Sequence, residues 1–210
     1  MSNLQYSCHV PKGPLIIAFS GGSDSVFAAE HFIRQRRELT LLHVNHGTPA
    51  SREMEHAVRN WCCFKPVELV IHNVNPANKL KHESWEEFWR SERLDIFHDQ
   101  KLPVITGHHL GDQIETYLFN AFHGAPRLMP NSNGNVLRPF LYMTKEEMRE
   151  KITSRKYFVD PSNDDVGFAR NRIRHNIVPE VRKVNPGIEK TVKKMMRSAG
   201  YGTADANQPG

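Results

Sequence analysis

Four short apolar runs, separated by longer amphipathic stretches, constrain the fold of this chain more than any other sequence feature. The runs are residues 14–19, 39–44, 67–71 and 103–106, and the amphipathic stretches are residues 26–37, 51–64, 82–100 and 113–122. Short apolar runs are typical of buried parallel strands. The alternation predicts an α/β fold in which helices cover both faces of a parallel sheet. In such folds ligands bind in the loops that follow the strands.

The length of 210 residues allows one domain of ordinary size with an appendage. No apolar run approaches the roughly 18 residues of a membrane span, and the N-terminus lacks the layout of a secretory signal. We therefore expect a cytoplasmic protein with no membrane contact. Three cysteines without a C-x-x-C pair predict reduced thiols rather than a disulfide framework or a metal site.

Positive charge is concentrated late in the sequence. Residues 170–197 contain nine Lys or Arg and two Glu, a local charge of +7, while the rest of the chain carries −2. This basic block favours a polyanion partner, bound through phosphate contacts and counterion release. A solvated helical face explains the same charges equally well.

The second half of the chain carries loop and helix signals. Residues 125–134 are rich in Pro, Asn and Gly and predict a surface loop. Thr144 and Glu147 have capping-box spacing, which predicts a helix over 144–155, and residues 173–196 predict two helical pieces interrupted at 184–187. We divide the chain into a main α/β domain at 1–143, a basic helical extension at 144–197 and a flexible tail at 198–210.

A six-residue string, Ser-Gly-Gly-Ser-Asp-Ser, joins the first predicted strand to the first predicted helix. Its two glycines allow a tight turn, and the N–H groups of the loop and the helix start then form an anion site. Asp24 fits beside phosphate when it holds Mg²⁺. An ordinary capped turn is the other interpretation. The predicted phosphate-binding residues are Ser20, Gly21, Gly22, Ser23, Asp24 and Ser25.

The string resembles the pyrophosphatase loop of the ATP-pyrophosphatase, or PP-loop, superfamily, whose members split ATP between the α and β phosphates. It lacks the lysine of the G-x-x-x-x-G-K-[ST] pattern. The resemblance therefore implies transfer of AMP rather than of the terminal phosphate. Because the superfamily includes amidating and thiolating enzymes, the loop alone does not choose a substrate.

Further strings resemble the catalytic domain of the tRNA(Ile)-lysidine synthetase family in order and spacing. They lie at residues 43–47, 107–116, 137–141, 160–163 and 168–179. The resemblance runs from about residue 15 to residue 179, and the Arg-Asn-Arg-Ile-Arg-His string is its most specific part. It implies an adenine nucleotide alpha hydrolase-like domain, a parallel-sheet nucleotide-binding fold, with a short basic helical C-terminal extension.

The resemblance implies a two-step reaction on the wobble cytidine of an isoleucine tRNA with a CAU anticodon. ATP adenylates the ring carbonyl at carbon 2 and releases pyrophosphate, and the ε-amino group of free L-lysine then displaces AMP. The implied cofactors are ATP and Mg²⁺, and a homodimer is allowed.

The resemblance also assigns roles to residues after the strands. Asp24 and Asp112 are the expected Mg²⁺ ligands and catalytic carboxylates, with helix capping as the alternative for Asp112. Gly107 and His108 are expected to bind the cofactor. His109 is expected to be catalytic, and both His108 and His109 are expected to contact phosphate or to assist proton transfer from the lysine amine.

Arginines complete the predicted site. Arg90 and Arg93 lie three residues apart on one face of a predicted helix. Their guanidinium groups suit either the α-phosphate of ATP or the tRNA backbone. At the α-phosphate, Arg90 would be catalytic. Surface salt bridges are the alternative for both. Arg170, Arg172 and Arg174 are expected to clamp anticodon-stem phosphates, and intramolecular ion pairs are the alternative.

His43 and Asn45 end the second predicted strand, where such folds place the adenosine, and Glu115 is a predicted substrate contact. A metal site at His43 and His46 is rejected, because residues three apart on a strand face opposite sides. The tryptophans are spaced like core aromatics, and no base stacking is predicted for them: Trp61, Trp85 and Trp89.

The chain departs from the family pattern at three places. The family shows two aspartates where this chain has Gly111 and Asp112, and residues 123–129 differ from a Gly-rich family loop. Family members usually carry C-terminal domains, and we expect a minimal form without them here. A minimal lysidine synthetase is the leading interpretation. The alternatives are a thiolating PP-loop enzyme, which the lack of paired cysteines disfavours, and a non-catalytic nucleotide- or RNA-binding relative.

Overall fold

A computed structural model describes residues 4–154, 157–159 and 167–202. Its sheet has six strands in the order β3-β2-β1-β4-β6-β5. The strands are β1 (Leu15–Ala18), β2 (Leu39–Asn45), β3 (Glu68–Asn73), β4 (Val104–Ile105), β5 (Ser132–Asn133) and β6 (Val136–Leu137). Neighbouring strands pair in parallel, except that β5 runs antiparallel to β6. The predicted α/β class is confirmed.

Helices connect and cover these strands. Within the described residues they are α1 (Ser23–Arg34), α2 (Pro49–Cys62), α3 (Trp85–His98), α4 (Leu110–Phe122), α5 (Lys145–Glu150), α6 (Ala169–Arg172), α7 (Val178–Val184) and α8 (Ile188–Ser198). A π-helical turn, Ile173–Ile177, joins α6 to α7. The predicted interruption falls between α7 and α8, where Pro186 cannot continue a helix. None of the described helices is long and apolar enough to cross a membrane.

Alternating side chains of β1 show how the sheet is covered on both faces. Leu15 and Ile17 pack in a cluster with α1, whereas Ile16 packs in a second cluster with α3 on the opposite face. A third apolar cluster joins α4 to α8, through residues such as Ile114 and Val192. The basic helices are therefore anchored to the main domain by an apolar side, with their charges left outside.

Several boundaries differ from the sequence predictions. Helices α1 and α4 each begin three residues before the predicted start, because Ser, Asp and Gly, which also favour loops, are among their first three residues. Strand β5 lies inside the predicted loop at 125–134, since two-residue strands are too short to show alternation. Helix α5 has the predicted capping box but ends at Glu150. Trp85 is 48% exposed, so the core interpretation of this residue was wrong.

The start of the predicted tail is tied to the domain. Tyr201 Oη donates to the Met129 carbonyl at 2.8 Å, and the Gly202 amide donates to the Ser7 carbonyl at 2.9 Å. Residues 203–210 and the predicted motif at 160–163 lie outside the described residues.

The strand order fixes where a ligand can bind. Strand β1 lies between β2 and β4, so the chain builds the sheet outward from β1 first on one side and then on the other. Open α/β sheets bind ligands at this switch point, beyond the carboxyl ends of the strands. The loop at 20–25 follows β1, and the loop at 106–109 follows β4, so both open into the same crevice.

Candidate nucleotide-binding site

The loop at 20–25 forms the predicted glycine turn. Gly21 has φ +82°, a left-handed conformation that favours glycine, and Gly22 is the residue that precedes α1. No described side chain caps α1 at this end. The first amide groups of α1 are thus left for an external anion, with the helix dipole favouring negative charge.

The hydroxyl groups of the loop hold its own shape. Ser20 Oγ accepts from the Gly22 amide at 3.3 Å and lies 3.3 Å from Ser25 Oγ. Ser25 Oγ donates to the Gly22 carbonyl at 2.9 Å, and Ser23 Oγ donates to Asp24 Oδ1 at 2.9 Å. The six predicted residues therefore form one hydrogen-bonded turn.

A buried carboxylate that the sequence did not indicate supports this turn from behind. Glu30 is 5% exposed and accepts hydrogen bonds from the amides and hydroxyls of Thr153 and Ser154, with both amide bonds below 3.0 Å. Although desolvation opposes them, these hydrogen bonds lower the pKa of Glu30. A few residues on, the Phe158 amide donates to the Gly21 carbonyl at 2.8 Å. Thr153 and Ser154 therefore brace α1, and Phe158 braces the glycine turn.

Gly107 allows the loop after β4 to touch the start of α1. A Cβ atom at this position would lie 2.5 Å from the Asp24 carbonyl oxygen and 3.1 Å from the Ser25 nitrogen. Any larger residue would force the two loops apart. Gly107 thus brings the residues after β4 next to the phosphate loop, whichever ligand binds there.

His108 is a neutral imidazole at physiological pH. Burial lowers its pKa to about 4. Its Nδ1 lies 2.7 Å from Thr106 Oγ1, which itself donates to the Leu137 carbonyl at 3.4 Å. The Thr106 hydroxyl therefore ties the His108 ring to the end of β4.

His109 and Asp112 begin α4 with a reciprocal cap. His109 Nδ1 accepts from the Gly111 amide at 3.0 Å, and Asp112 Oδ2 accepts from the His109 amide at 2.8 Å. The helix-capping alternative for Asp112 is therefore present in the structure. A Cβ at Gly111 would lie 2.8 Å from His109 Cε1, so glycine at the position of the missing aspartate makes room for this imidazole.

Asp24 is the carboxylate that the crevice presents most openly. It is one-third exposed, and its Oδ2 lies 3.9 Å from His109 Nε2 and 3.6 Å from Lys145 Nζ. Since His109 Nδ1 is an acceptor, the neutral ring carries its hydrogen on Nε2, which faces Asp24. Lys145, at the start of α5, is a cation that the sequence did not indicate, because it lies 121 positions after Asp24 in the sequence.

Arg174 is held by an internal ion pair. Its Nε and Nη2 donate to the two carboxylate oxygens of Glu115 at 2.7 and 2.9 Å, and Nη2 also lies 3.4 Å from Asp112 Oδ1. Burial raises the pKa of Glu115 in spite of this pair. The ion-pair alternative thus describes Arg174, while Arg172 is exposed.

A group of guanidiniums, which we call the arginine cluster, borders the crevice: Arg90, Arg93, Arg138 and Arg170. Desolvation and the Arg170 charge lower the pKa of Arg90. Desolvation and the charges of Arg90 and Arg170 likewise lower the pKa of Arg93. Arg138 is 8% exposed and donates to the Pro130 carbonyl at 2.9 Å. Because these positive guanidinium groups lie close together, the crevice beside them attracts anions.

His43 and Asn45 lie at the end of β2, as predicted. His43 Nδ1 lies 2.9 Å from the Phe19 carbonyl, which can only accept, so Nε2 is an acceptor. Within the described part of the chain, that buried Nε2 has no hydrogen-bond partner. Asn45 is occupied by Glu55 Oε2 at 2.6 Å and by the Gly47 amide at 2.8 Å. Of the two, His43 has unused capacity for a ligand.

The carboxylates of the crevice offer Mg²⁺ one suitable ligand. Asp24 is accessible beside the phosphate loop, which suits a cation that binds one or two carboxylates together with substrate phosphates. Asp112 is already committed to the α4 cap and to Arg174. Among the described residues, no cluster of three His, Cys, Asp or Glu could hold a metal without a substrate.

Comparison with known proteins agrees with this geometry. The profile of a family described as the PP-loop domain matches residues 2–181. The chain belongs to the PP-loop domain family. The matched residues include the glycine turn, where Gly21 and Gly22 precede the uncapped α1.

Curated relatives of this PP-loop chain include tRNA(Ile)-lysidine synthases. The enzyme from Lactiplantibacillus plantarum is 31% identical over 202 residues, covering 87% of this chain and 45% of its own length. The enzyme from Exiguobacterium sibiricum is 27% identical over 208 residues, covering 92% and 50%. The chain thus spans about half the length of these relatives. Among solved structures, the NH3-dependent NAD synthetase from Campylobacter jejuni is 15% identical with a TM-score of 0.47, covering 99% of this chain and 92% of its own.

Proposed function

We propose that this PP-loop chain uses ATP to adenylate the wobble cytidine of an isoleucine tRNA and then joins lysine to carbon 2. The cytidine oxygen attacks the α-phosphorus and expels pyrophosphate, after which the lysine amine displaces AMP. The observation that carries the proposal is the glycine turn and uncapped α1 facing Asp24, Lys145 and the arginine cluster. The lysidine synthases that match most of the chain supply the choice of substrate.

The residues of the crevice divide the work of the first step. The amides at the start of α1 and Lys145 would bind the β and γ phosphates, and the arginine cluster would take charge at the α-phosphate. Asp24 would hold Mg²⁺, which when bound neutralises phosphate charge. Within this arrangement His109 is a positioning residue, because its Nε2 hydrogen faces Asp24 and orients that carboxylate.

The second step requires a group that accepts a proton from the lysine amine. His108 is the candidate for this group, because its ring is neutral at pH 7, whereas His109 Nδ1 already accepts from the Gly111 amide. Lysine binding at Asp112 and Glu115 would require displacement of Arg174 from both carboxylates.

The proposal is tested with the whole chain, ATP, Mg²⁺, labelled L-lysine and an unmodified isoleucine tRNA transcript with a CAU anticodon. We expect tRNA-dependent pyrophosphate release and labelled lysine in the RNA. Pyrophosphate release without lysine uptake would instead support another PP-loop RNA-modifying activity. Binding of tRNA with neither product would support a non-catalytic relative.

A further inference from the structure

Three neighbouring aromatic side chains lie in a row beside the start of α3, and we call them the aromatic ladder: Trp85, Trp89 and His46. The Trp85 and Trp89 rings lie 5.4 Å apart at 31°, and the Trp89 and His46 rings lie 5.7 Å apart at 43°. Trp85 forms the outer end and is 48% exposed. A large, half-exposed indole at the end of a row of rings is a platform on which another flat ring can replace the Lys79 side chain that lies over it.

The backbone that carries the platform is held by a capping box. Trp85 is the first residue of α3, directly after the cap formed by Ser84. Ser84 Oγ accepts from the Glu87 amide at 3.2 Å, and Glu87 Oε2 accepts from the Ser84 amide at 3.0 Å. Since the backbone of Trp85 is fixed by this capping box, stacking a ring on it costs little conformational entropy.

Cations surround the platform and connect it to the crevice. Lys79 Nζ lies 5.1 Å from the centroid of the Trp85 ring. Trp85, Trp89 and Arg93 recur every four residues and therefore follow one stripe of α3, with Arg90 beside it. The aromatic ladder thus continues into the arginine cluster, and the combination is suited to a ligand with flat rings and negative charges.

Two polar atoms of the ladder are also unsatisfied. In the part of the chain that the structure describes, the buried Trp89 Nε1 and His46 Nδ1 have no hydrogen-bond partner. Buried polar atoms without partners cost free energy. A ligand with polar edges that shifted these rings could remove that cost.

We propose that Trp85 stacks on an unpaired base of the RNA substrate, next to the nucleotide that reacts, while Lys79 and the arginine cluster hold the adjoining phosphates. The choice of RNA rests on the proposed function. Aromatic rings interleaved with cations are typical of surfaces that bind single-stranded nucleic acids, where stacking accepts any base. The long Lys79 side chain can leave the ring and follow a phosphate.

The test compares Trp85→Ala and Trp85→Phe with the wild-type chain. The probes are the isoleucine tRNA transcript, a seven-nucleotide RNA with the sequence of its anticodon loop, and an RNA duplex of the same length. Loss of one stacked base weakens binding about tenfold. We expect this loss for the alanine variant on the tRNA and the heptamer but not on the duplex, and near-complete recovery with phenylalanine.

Phe64→Ala serves as the matched control, because Phe64 is a fully exposed aromatic after α2 and should leave all RNA affinities unchanged. Affinity for ATP, measured on the same variants, should stay at the wild-type value. Suppose that the wild type binds tRNA and releases pyrophosphate, as the proposed function requires. If Trp85→Ala then binds the heptamer as tightly as the wild type does, the stacking proposal alone is overturned. If the variant instead changes the oligomeric state by light scattering, the platform binds a second copy, which also overturns it. A wild type that binds neither tRNA nor ATP would contradict the proposed function.

Discussion

Asp24 is the residue whose role the geometry limits most closely, because it is accessible and faces both His109 and Lys145. We predict that Asp24→Ala lowers tRNA-dependent pyrophosphate release by a factor of about 100 or more, as is usual when a key charge in a site is lost. Binding of tRNA should change less than about threefold, because the arginine cluster remains. Product assays and filter binding measure the two effects.

Asp95→Ala is the control for this variant, since Asp95 is an exposed aspartate on α3. It should leave both quantities unchanged. An equal loss of tRNA binding and pyrophosphate release in Asp24→Ala would contradict the role given to this carboxylate.

Gly107 supports a second prediction at the level of single atoms. The methyl group of Gly107→Ala would lie 2.5 Å from the Asp24 carbonyl, so the two loops must separate. We expect the free energy of unfolding to fall by about 1–3 kcal/mol, which is typical of overpacking, and ATP affinity to fall with it. Thermal unfolding and nucleotide titration measure both.

Gly187→Ala is the comparison variant, because Gly187 has φ −97° and its nearest contact to a new Cβ would be 3.4 Å. If Gly107→Ala has the same stability and ATP affinity as this comparison variant, a Cβ at position 107 does not force the two loops apart.

At the residue scale, sequence predicted the contacts that are local and missed those that are not. Ser20 to Ser25 are adjacent, so their shared turn follows from residue types alone. Lys145 and Glu30 are placed by packing of α5 and of the segment at 153–154 against α1, and no local pattern marks either.

The helical stretch from α6 to α7 contains two arginines with different surroundings. Arg174 lies in the π-helical turn and pairs with the buried Glu115, whereas Arg172 is exposed at the end of α6. We predict that Arg174→Ala lowers the free energy of unfolding by about 3 kcal/mol, because it leaves a buried carboxylate without its partner. Chemical denaturation measures this loss.

Arg172→Ala is predicted to keep wild-type stability and to reduce the slope of the salt dependence of tRNA binding by about one, the change expected for loss of one phosphate contact. The matched pair thus separates a structural arginine from one that contacts RNA. Equal effects of the two substitutions on stability would show that the ion pair with Glu115 contributes little.

At the element scale, β1 to β4 were predictable because each contains a short apolar run between turn signals. The prediction that all four strands are buried was wrong for β3, which lies at the edge of the sheet and has no buried residue. The β5–β6 hairpin was not, since four residues, among them Ser132 and Asn133, carry no strand signal of their own. Pairing of β6 with β4 supplies the hydrogen bonds that local propensity does not.

Across the whole molecule, buried histidines should make the fold sensitive to acid. Burial lowers the pKa values of His31, His46 and His108 from 6.5 to about 4. In this range the unfolded chain binds more protons than the folded one, so their contribution to stability is complete above pH 6.5 and is lost as the pH falls toward 4. We predict a steady drop in denaturation midpoint between pH 6.5 and 4.

His31→Gln should make that drop shallower, because one buried imidazole is gone while an amide can still bond with Tyr6 and Gln35. His98→Gln is the control, since His98 is exposed and should leave the slope unchanged. A flat stability profile in the wild type would show that these imidazoles are solvated.

The hydrogen bond between Gly202 and Ser7 has a consequence for chain connectivity, because it places two distant parts of the sequence side by side. A short peptide bridge between these points would leave the sheet order intact. New termini could then be opened at the solvent-facing turn around Gly124, where a Cβ would meet no atom within 4 Å. Such a circular permutant should fold to the same β3-β2-β1-β4-β6-β5 sheet.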